Sequence, residues 1–582
     1  MCTKGSDVKR LVGVYKKLYG SVREGIGLAL EEIERALESG SVPIIFFEAP
    51  TGYGKTACAQ SLALYPLISP SQFFKVIHVF PLRSLLKDVL TRSRALFSGL
   101  VDDPLVKKFV GAESMDYTDS YFLDAPYTLT TVDTFLMSLM KYNPKMAYAM
   151  ASGRSYGYDI YTQASIFTSF VVFDEAHILL DQVTSDDMFN PWSLTAVFLG
   201  ALQFLSRVGV PMLIMTATLS KTHLKLMKNA VLSDNADGLK IVDITHNNDK
   251  LSEKLRKMYS KKVSGRAVLT KENLEITRDS AIEIAKKEAK EGKIVLFVLN
   301  TIKSALKVYE SLRNEVEDVI LLHGKLMKGD RENMEDRLRQ FINRNVSGVV
   351  VSTQVIEAGV DLDADVLITE MAPMTSLIQR AGRIVRKRLN EDGCIYIVRT
   401  ERHYPYNEKI VVETRNVLCE RIEEDDLDLH SYDVTTELLD CIYSKESVSA
   451  LFPNIIIGST SKKVMEFPNI RSSIVKTLIQ EELKRKGEFI RELMLPSYVG
   501  EIKEGKEISI TVSDLRKMLE LDIDFYLVNL KKKNNIIIKD SNVKTATKDL
   551  RRIISMLIDE NCVILIPEDA YIPKRGPKWL TM

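Results

Sequence analysis

A glycine-rich octapeptide near the start of the chain has the residues needed to bind a nucleotide phosphate. APTGYGKT, residues 49–56, has the spacing of a phosphate-binding (Walker A) loop, with Ala49 in place of the usual first glycine. Glycines let backbone N–H groups approach phosphate oxygens, the lysine reaches the β and γ phosphates, and the last hydroxyl can ligate Mg²⁺. The alternative is a chance glycine turn, which the apolar stretch before the loop and the helical pattern after it argue against. The predicted nucleotide-binding residues are Thr51, Gly52, Gly54, Lys55 and Thr56, the last also as a metal ligand.

An acidic stretch further along the chain could complete such a site. In FVVFDEAH, residues 170–177, Asp174 ends an apolar run, where its carboxylate can hold Mg²⁺. Glu175 can orient and deprotonate the attacking water. Alone, the stretch DEAH is equally typical of an exposed turn. Together with a phosphate loop they predict an ATPase site with Glu175 as a catalytic residue.

A run of arginines in the second half of the chain raises the question of which anion it meets. LIQRAGRIVRK, residues 377–387, places Arg380, Arg383 and Arg386 at every third position with no acid among them. On a continuous helix these side chains would lie close to one face and repel one another unless something negative sat opposite. That partner is either solvent with its counterions or a phosphate. Since an arginine from a second domain can stabilise the charge that develops on a γ-phosphate, Arg383 and Arg386 are predicted catalytic residues.

These candidates need strands and helices to hold them, and the apolar pattern predicts two tandem α/β units. Short apolar runs separated by helical stretches are typical of a buried parallel sheet. Helical spacing of apolar residues from Val22 to Leu37 predicts a helix before the first run. The first series of segments is 43–48, 75–80, 169–177 and 211–218, and the second is 293–300, 318–324, 348–354, 365–370 and 394–399.

The predicted fold class is α/β, with two parallel-sheet domains and a mixed α/β C-terminal accessory domain. Residues 1–245 are assigned to the first domain, 246–405 to the second, and 406–582 to a linker and the accessory domain. The polar stretch 233–250 is expected to be part of the connection between the first two.

Composition limits the class of protein. The 582 residues are 45% hydrophobic, enough for several buried cores. Because 79 basic and 78 acidic residues give a formal net charge of +1, a nucleic-acid surface would be a local patch. The six cysteines form no close ligand pair, which argues against zinc, an iron–sulfur cluster or a disulfide framework. Since neither an apolar leader nor a stretch of about 20 apolar residues is present, a cytoplasmic protein without membrane function is expected.

The order of short motifs over residues 20–400 resembles that of superfamily 2 helicases. The phosphate loop and DEAH are similar to motifs I and II, VFPLRSLL to motif Ia, TTVDTFL to the next strand-contacting element, and TAT, residues 216–218, to motif III. VLN with Thr301 resembles motif IV, STQVIEAGVDLDADVLITE motif V and QRAGRIVR motif VI. Motif V, the APMTSLIQRAGR that follows and TTVDTFL are most similar to the CRISPR-associated Cas-three helicases of type I interference systems.

The resemblance implies two RecA-like domains that use ATP and Mg²⁺ to translocate along single-stranded DNA, usually 3′ to 5′, and to unwind duplex or R-loop DNA ahead. It also implies contacts to the strand by Pro81, Arg83, Thr131 and Thr353. Asp361 would lie near the ribose and Gln379 near the phosphates, and His177, Thr216 and Thr218 would couple the nucleotide state to strand binding. For each single threonine, capping of a helix or strand end is an equally good interpretation.

Two departures from the family pattern bear on function. Gln60 is the first glutamine of the chain, so the upstream adenine-reading glutamine is missing and base selectivity is open, with ATP as the expected nucleotide. No histidine is followed by aspartate, and 48 residues precede the phosphate loop, so no HD-type nuclease is expected in this chain. A helicase-only form is therefore expected, acting with a separate HD-type nuclease and a CRISPR surveillance complex at an R-loop. A monomer would be sufficient for the ATP site.

Two other classes remain open. One is a general RNA or DNA helicase unrelated to CRISPR defence, and the other is a non-enzymatic scaffold that has kept the fold. The scaffold is disfavoured because the lysine, both carboxylates and both arginines of the predicted site are present. The basic stretches 530–535 and 573–580, the second with Trp579, could stack bases or could form a solvated surface.

Overall fold

In the computed structural model the chain forms two compact units. The first contains Met1–Met146, Tyr156–Ser264 and Leu429–Ile470, and the second contains Ala147–Ser155, Gly265–Asp428 and Arg471–Met582. The structure describes residues 10–50, 52–69, 71–100, 103–114, 117–140, 158–180, 194–217, 219–232, 238–259, 265–343, 346–357, 362–386, 388–400, 403–449, 451, 494–495, 497–503, 505–529, 535–537, 553 and 562–580.

The first unit is built on a seven-stranded parallel sheet. Its strands are β1 (Val42–Glu48), β2 (Lys75–Phe80), β3 (Val110–Glu113), β4 (Tyr127–Thr131), β5 (Ser169–Phe173), β6 (Met212–Thr216) and β7 (Leu239–Ile244). They lie in the order β3-β4-β2-β5-β6-β1-β7, and every neighbouring pair is parallel. Parallel strands gather their carboxyl ends at one edge, where α/β proteins bind ligands.

The first unit also contains the helices that precede and connect these strands. They are α1 (Arg10–Tyr19), α2 (Glu24–Glu38), α3 (Thr56–Ile68), α4 (Arg83–Ser98), α5 (Asp103–Phe109), α6 (Val132–Leu139), α7 (Tyr158–Phe167), α8 (Leu194–Arg207), α9 (Lys221–Leu232) and α10 (Ser252–Tyr259). A 3₁₀ helix, Ala176–Leu179, follows β5. The predicted helix before the first strand is confirmed as α2, and Gly40, with φ of +73°, follows its end.

The second unit contains another seven-stranded sheet. Its strands are β8 (Arg266–Ile276), β9 (Ile294–Val298), β10 (Val319–Leu322), β11 (Gly348–Ser352), β12 (Val366–Glu370), β13 (Asp392–Val398) and β14 (Leu427–Asp428). The order is β10-β11-β9-β12-β13-β8-β14, with β14 antiparallel to β8 and the other pairs parallel. The helices between these strands are α11 (Arg278–Lys290), α12 (Ile302–Leu312), α13 (Lys328–Asn343), α14 (Met374–Ala381) and α15 (Glu408–Ile422), with a 3₁₀ helix at Gln354–Ile356.

After β14 the described part of the chain adds two helices to the first unit and a small mixed domain to the second. The helices are α16 (Tyr432–Ser444) and α17 (Glu446–Ser449). The described elements of the mixed domain are β15 (Met494–Leu495), β16 (Ser497–Val499), β17 (Ile510–Thr511), α18 (Val512–Glu520), β18 (Tyr526–Asn529), β19 (Asn535–Ile537), β20 (Cys562–Ile566), β21 (Tyr571–Ile572) and β22 (Gly576–Pro577), with 3₁₀ helices at Glu568–Ala570 and Lys578–Leu580. Its main sheet has the order β16-β20-β18-β19.

The mixed domain is anchored to the loop between β10 and α13. The Lys328 N–H donates to the Glu507 carbonyl at 2.8 Å, and His323 Nε2 lies 2.8 Å from the Arg575 carbonyl oxygen. Burial lowers the pKa of His323 to about 3, with the nearby Arg331 and Lys325 adding to the effect. His323 is therefore neutral under physiological conditions, and its contact is a hydrogen bond rather than an ion pair.

The predicted fold class of two parallel α/β units with a mixed C-terminal domain is confirmed, as are the nine predicted apolar strands. Two expectations are wrong. Within the stretch expected as a connection, Leu239–Ile244 forms β7, which pairs with β1 along six residues. Neither of the two open interpretations holds for Trp579, base stacking or a solvated surface, because its side chain is 1% exposed in the core of the mixed domain. None of the described helices is both long and apolar enough to span a bilayer.

Candidate nucleotide site

The phosphate loop joins the end of β1 to the start of α3. Gly52 and Gly54 have φ of +78° and +94°, backbone conformations that suit glycine, and Gly54 is the residue directly before Lys55. The Lys55 ammonium is 6% exposed and donates to the Ala49 carbonyl at 2.8 Å. The loop is thus closed by its own lysine, with Thr56 half-buried at the first position of α3.

The acidic pair follows β5, two strands away from β1 in the same sheet. The Lys55 ammonium lies 3.7 Å from Glu175 Oε1, so the structure brings the phosphate loop and the DEAH stretch together. Glu175 has φ of +47° and ψ of +46°, a left-handed conformation that is uncommon for a residue with a side chain. Such strain is typical of functional positions, where the surrounding structure holds a side chain in one direction.

The Asp174 carboxylate contacts a buried histidine, His78. His78 Nε2 lies 3.2 Å from Asp174 Oδ2, and His78 Nδ1 lies 2.8 Å from the Tyr127 hydroxyl. Burial acts to raise the pKa of Asp174, but the hydrogen bond and charge of His78 and the charge of Lys55 hold it below its usual value. Asp174 is consequently ionised at neutral pH. No motif in the sequence around His78 indicates a functional role, so sequence reasoning missed this residue.

The glutamate and the histidine of DEAH both contact the end of β6. The Ala217 N–H donates to Glu175 Oε2 at 3.2 Å, and His177 Nδ1 lies 2.8 Å from the Thr216 hydroxyl. His177 and Thr216 are each 1% exposed. Three of the predicted residues, Glu175, His177 and Thr216, therefore form one connected group.

The predicted strand-contacting residues of the first unit lie at carboxyl ends of other strands. Pro81 follows β2 and is buried, and Arg83 is half-buried at the first position of α4. Thr131 is 4% exposed, and its hydroxyl accepts the Thr134 N–H at 3.4 Å as the N-cap of α6. The capping interpretation therefore accounts for the Thr131 hydroxyl.

The arginine series of the second unit does not form one helical face. Helix α14 ends at Ala381 and Gly382 caps it, so Arg380 alone lies on the helix. Val385, with φ of +38°, turns the chain again before Arg386. The expected common face is thus wrong, because the backbone changes direction twice within the series.

Arg380 has protein partners in place of a phosphate. It is completely buried and donates from Nε to Glu357 Oε1 at 2.8 Å, from Nη1 to the Thr369 hydroxyl at 2.7 Å and from Nη2 to the Tyr406 hydroxyl at 2.8 Å. Nη2 also donates to Asn300 Oδ1 at 3.1 Å. Its anion is therefore the Glu357 carboxylate, which lies 23 residues before it in the sequence.

Of the other predicted residues of the second unit, Arg383 contacts the same glutamate, Glu357, as Arg380 does. Arg383 is 7% exposed and donates from Nη2 to the Glu357 carbonyl at 2.6 Å, while Arg386 is half-buried. Gln379, on α14, is 4% exposed, and Thr353, directly after β11, is 3% exposed. The predicted residues Thr51, Thr218 and Asp361 lie outside the described residues.

A second buried group that sequence reasoning missed lies directly before the phosphate loop. Glu48, the last residue of β1, is fully buried, and its Oε2 lies 2.7 Å from His246 Nδ1. Asp440 Oδ2 of α16 lies 3.3 Å from the other ring nitrogen of His246. Burial acts to lower the pKa of His246, but the two carboxylates raise it to about 9. His246 is therefore a buried cation between two acids at neutral pH.

The residues present fit a magnesium ion bound with a nucleotide. Mg²⁺ takes oxygen ligands, commonly one or two from the protein with phosphate oxygens and water completing the shell. Asp174 supplies an ionised carboxylate at a strand end, and Thr56 supplies a hydroxyl at the start of the helix after the phosphate loop. These two side chains would hold the ion, and it would neutralise charge on the β and γ phosphates.

Two known protein families match parts of this chain that contain the helicase-like motifs. Residues 31–226 match the family model of the DEAD/DEAH box helicases, and residues 291–389 match that of the C-terminal part of the CRISPR-associated nuclease/helicase Cas3. A CRISPR-associated nuclease/helicase Cas3 of Methanothermobacter thermautotrophicus is 25% identical over 476 residues, covering 78% of this chain and 51% of the relative. The chain thus spans about half the length of that relative.

Solved structures agree with the fold. The structure of T. fusca Cas3 with ADP has a TM-score of 0.58 at 16% identity, and it covers 86% of this chain and 65% of that one. A CRISPR RNA-guided surveillance complex in a pre-nicking state contains a chain with a TM-score of 0.52 at 16% identity, which covers 86% of this chain and 62% of that one. At this identity the likeness establishes the fold, two RecA-like domains with parallel sheets.

Proposed function

Since the chain is related to the CRISPR-associated Cas3 helicases of superfamily 2, we propose that it is an ATP-driven motor that moves along single-stranded DNA and unwinds duplex or R-loop DNA. The observation that carries this proposal is the connected group in the first unit. Lys55 of the phosphate loop lies 3.7 Å from Glu175, and Glu175 accepts a hydrogen bond from Ala217 at the end of β6. The Lys55 ammonium, the proposed base Glu175 and the carboxyl end of β6 therefore lie close to one another.

The chemistry follows from the roles of these side chains. Backbone N–H groups at Gly52 and Gly54 and the Lys55 ammonium would bind the β and γ phosphates. Glu175 would accept a proton from the attacking water, because its carboxylate is fixed by Ala217 and points toward Lys55. Arg383 and Arg386 are proposed to stabilise the charge that develops on the γ-phosphate, and Gln379 and Asp361 to contact phosphate and ribose.

Coupling of hydrolysis to the strand is proposed to run through the end of β6. His177 and Thr216 would report the nucleotide state, together with Thr218, because His177 belongs to the same short segment as Glu175. Pro81, Arg83, Thr131 and Thr353 are the proposed strand contacts. The Thr131 hydroxyl accepts the Thr134 N–H as the cap of α6, so a strand contact there would use its O–H as a donor, its backbone or its methyl group.

The biological role is proposed from the relatives. Those relatives are described as CRISPR-associated, and one similar chain is part of a CRISPR RNA-guided surveillance complex in a pre-nicking state. We therefore propose 3′ to 5′ movement along target DNA, recruitment by such a complex and cleavage by a separate HD-type nuclease. The alternative is a general superfamily 2 helicase acting on RNA or DNA outside CRISPR defence.

The deciding experiment measures Mg²⁺-dependent ATP hydrolysis with single-stranded DNA, with single-stranded RNA and without nucleic acid. Lys55→Ala removes the phosphate-binding ammonium, and Glu175→Gln keeps the shape of the proposed base without its charge. We expect DNA to stimulate hydrolysis and each variant to lower the rate by about 100-fold or more. Stronger stimulation by RNA would favour the general helicase, and no hydrolysis by the wild-type chain would contradict the motor.

A further inference from the structure

The phosphate loop starts from a strand end held by buried side chains that have no part in the proposed chemistry. Oε2 of the fully buried Glu48 accepts hydrogen bonds from the His246 backbone N–H at 3.1 Å and from the Tyr432 hydroxyl at 3.2 Å. His246 Nδ1 lies 2.7 Å from the same oxygen. Three groups therefore converge on one carboxylate oxygen directly before Ala49, whose carbonyl receives the Lys55 ammonium.

Two tyrosine rings extend this arrangement to the loop itself. The Tyr259 hydroxyl donates to the Glu48 carbonyl at 2.6 Å. The Tyr259 ring packs edge-on against Tyr53, which stands between the two glycines of the loop, with ring centroids 4.9 Å apart. The Tyr259 ring also packs against the Tyr432 ring, with ring centroids 4.8 Å apart. We name Glu48, Tyr53, His246, Tyr259 and Tyr432 the loop-base cluster.

The packing of the loop-base cluster leaves little free space. A Cβ atom at Gly25 of α2 would lie 3.0 Å from the Tyr259 hydroxyl and 3.3 Å from Cε1 of Tyr53, which is tighter than ordinary contact. The Gly25 N–H is also close enough to donate to the Tyr53 hydroxyl, at 3.2 Å. The two rings are thus packed closely against Gly25 of α2, and the Tyr259 ring also packs against Tyr432 of α16.

The charge of the cluster is balanced near a loop that must accept a polyanion. An unpaired carboxylate at Glu48 would repel phosphates bound a few residues away, and burial would strengthen that repulsion. His246 places a cation 2.7 Å from it, and Asp440 on the far side of the ring is itself paired with the Lys221 ammonium at 3.3 Å. The cluster can therefore hold the strand end without adding net negative charge there.

We propose that the loop-base cluster is a positioning device for the phosphate loop, so that Tyr259 and Tyr432 set nucleotide affinity by acting through Glu48 and Tyr53. The inference rests on the proposed nucleotide site. A loop already fixed in its binding conformation loses less conformational entropy when phosphate binds, and that saving appears as affinity. Loosening the cluster should therefore weaken nucleotide binding even where the fold is retained.

The test measures the dissociation constant of MgADP for the full chain at 20 °C and the thermal melting midpoint without nucleotide. Tyr432→Phe removes the hydroxyl from Glu48 but keeps the ring, and Tyr259→Phe removes the hydrogen bond to the Glu48 carbonyl. Tyr443→Phe is the matched control, because Tyr443 lies on the same helix as Tyr432 and packs on His223, with ring centroids 4.3 Å apart. We expect the first two variants to raise the dissociation constant about two- to fivefold and the control to leave it unchanged.

The possible outcomes separate this inference from the proposed function. If the wild-type chain binds MgADP while Tyr432→Phe and Tyr259→Phe bind it equally well, the inference is overturned and the nucleotide site stands. The same holds if these variants only lower the melting midpoint, since that is what a purely structural role would do. If the wild-type chain binds no MgADP, the proposed function fails and this inference fails with it.

Discussion

Arg380 and Arg386 belong to one motif but have different surroundings. Arg380 is completely buried and paired with the Glu357 carboxylate, whereas Arg386 is half-buried beyond the end of α14. Removing one partner of a buried ion pair leaves the other charge without compensation, which is far more costly than losing a surface pair. The two arginines should therefore affect different properties when they are replaced.

Replacing Arg380 should lower stability more than it changes any single step of catalysis. We expect Arg380→Met to reduce the free energy of unfolding by about 3 to 5 kcal/mol, because Glu357 would remain buried and charged. Burial raises the pKa of Glu357, so protonation should reduce this loss at low pH. Denaturant unfolding at pH 5 and pH 8 measures both effects. In Arg386→Met, the control, stability should be nearly unchanged while ATP hydrolysis falls, and the reverse pattern would place Arg380 at the phosphates.

His246 should make stability depend on pH in the alkaline range. Its neighbours are the Glu48 carboxylate of β1, the Asp440 carboxylate of α16, the Lys221 ammonium beyond Asp440 and the Tyr432 hydroxyl. Its pKa is raised from 6.5 to about 9, so the proton stabilises the folded state. That contribution is fully present below pH 6.5 and is lost as the pH rises through about 9.

The measurement compares thermal melting of the wild type and His246→Gln from pH 6 to pH 10. The free energy of unfolding of the wild type should exceed that of His246→Gln by on the order of 3 kcal/mol near pH 6, and this difference should disappear near pH 10. Gln keeps hydrogen-bonding groups in the ring's place but does not titrate. Parallel pH curves for the two proteins would show that His246 is not the titrating group.

At the scale of secondary-structure elements, Thr131 allows the two interpretations of a motif threonine to be separated. Its hydroxyl caps α6, and such a cap contributes about 1 kcal/mol. We expect Thr131→Ala to lose that amount in denaturant unfolding, and Thr131→Asn to retain most of it because asparagine caps helices well. If both variants bound single-stranded DNA like the wild type, Thr131 would act on the helix alone. Weaker binding by Thr131→Asn at full stability would support a strand contact.

The strands that hold the site could be predicted because each is an almost uninterrupted run of apolar residues. Val42–Glu48 and Ser169–Phe173 are nearly or fully buried along their length, and the catalytic candidates follow them directly. Strand β4, Tyr127–Thr131, is just as buried but has three threonines, so it gave no apolar run. Each of those hydroxyls has a protein partner: Thr130 donates to the Glu113 carbonyl at 2.8 Å, Thr128 donates to the Ala125 carbonyl at 3.0 Å, and Thr131 caps α6. A buried polar strand of this kind is visible only once its partners are known.

Partners distant in sequence were the other limit on prediction. The motif residues Lys55 and Glu175 could be paired in advance because each motif has a known chemical role. Nothing in the sequence near His78 or Glu48 indicates that the first supports Asp174 or that the second anchors α16. In particular, the Tyr432 that reaches Glu48 lies 384 residues away in the sequence, and its helix follows the whole second sheet. Local periodicity contains no information on such contacts.

For the whole molecule, a net charge of +1 means that the proposed affinity for DNA would come from a few local cations. Each phosphate neutralised on a single strand releases counterions, and the slope of log K against log salt changes by about 0.7 per contact. The proposed motor would also release its strand during each cycle, which suits a small number of such contacts. The salt dependence of binding therefore counts the cations that touch the strand.

Arg83 at the start of α4 is the proposed cation in the first unit, and the same helix offers a control. Arg92 lies further along α4, is 63% exposed and forms an ion pair with Asp88 on the helix surface. We expect Arg83→Ala to weaken binding of single-stranded DNA at low salt and to reduce the slope by about 0.7, because one phosphate contact is lost. Arg92→Ala should change neither quantity, although it removes the same charge from the same helix. Fluorescence anisotropy of a labelled oligonucleotide between low and moderate salt measures both the affinity and the slope. Equal effects of the two variants would mean that Arg83 contributes only to the general electrostatic field of the molecule.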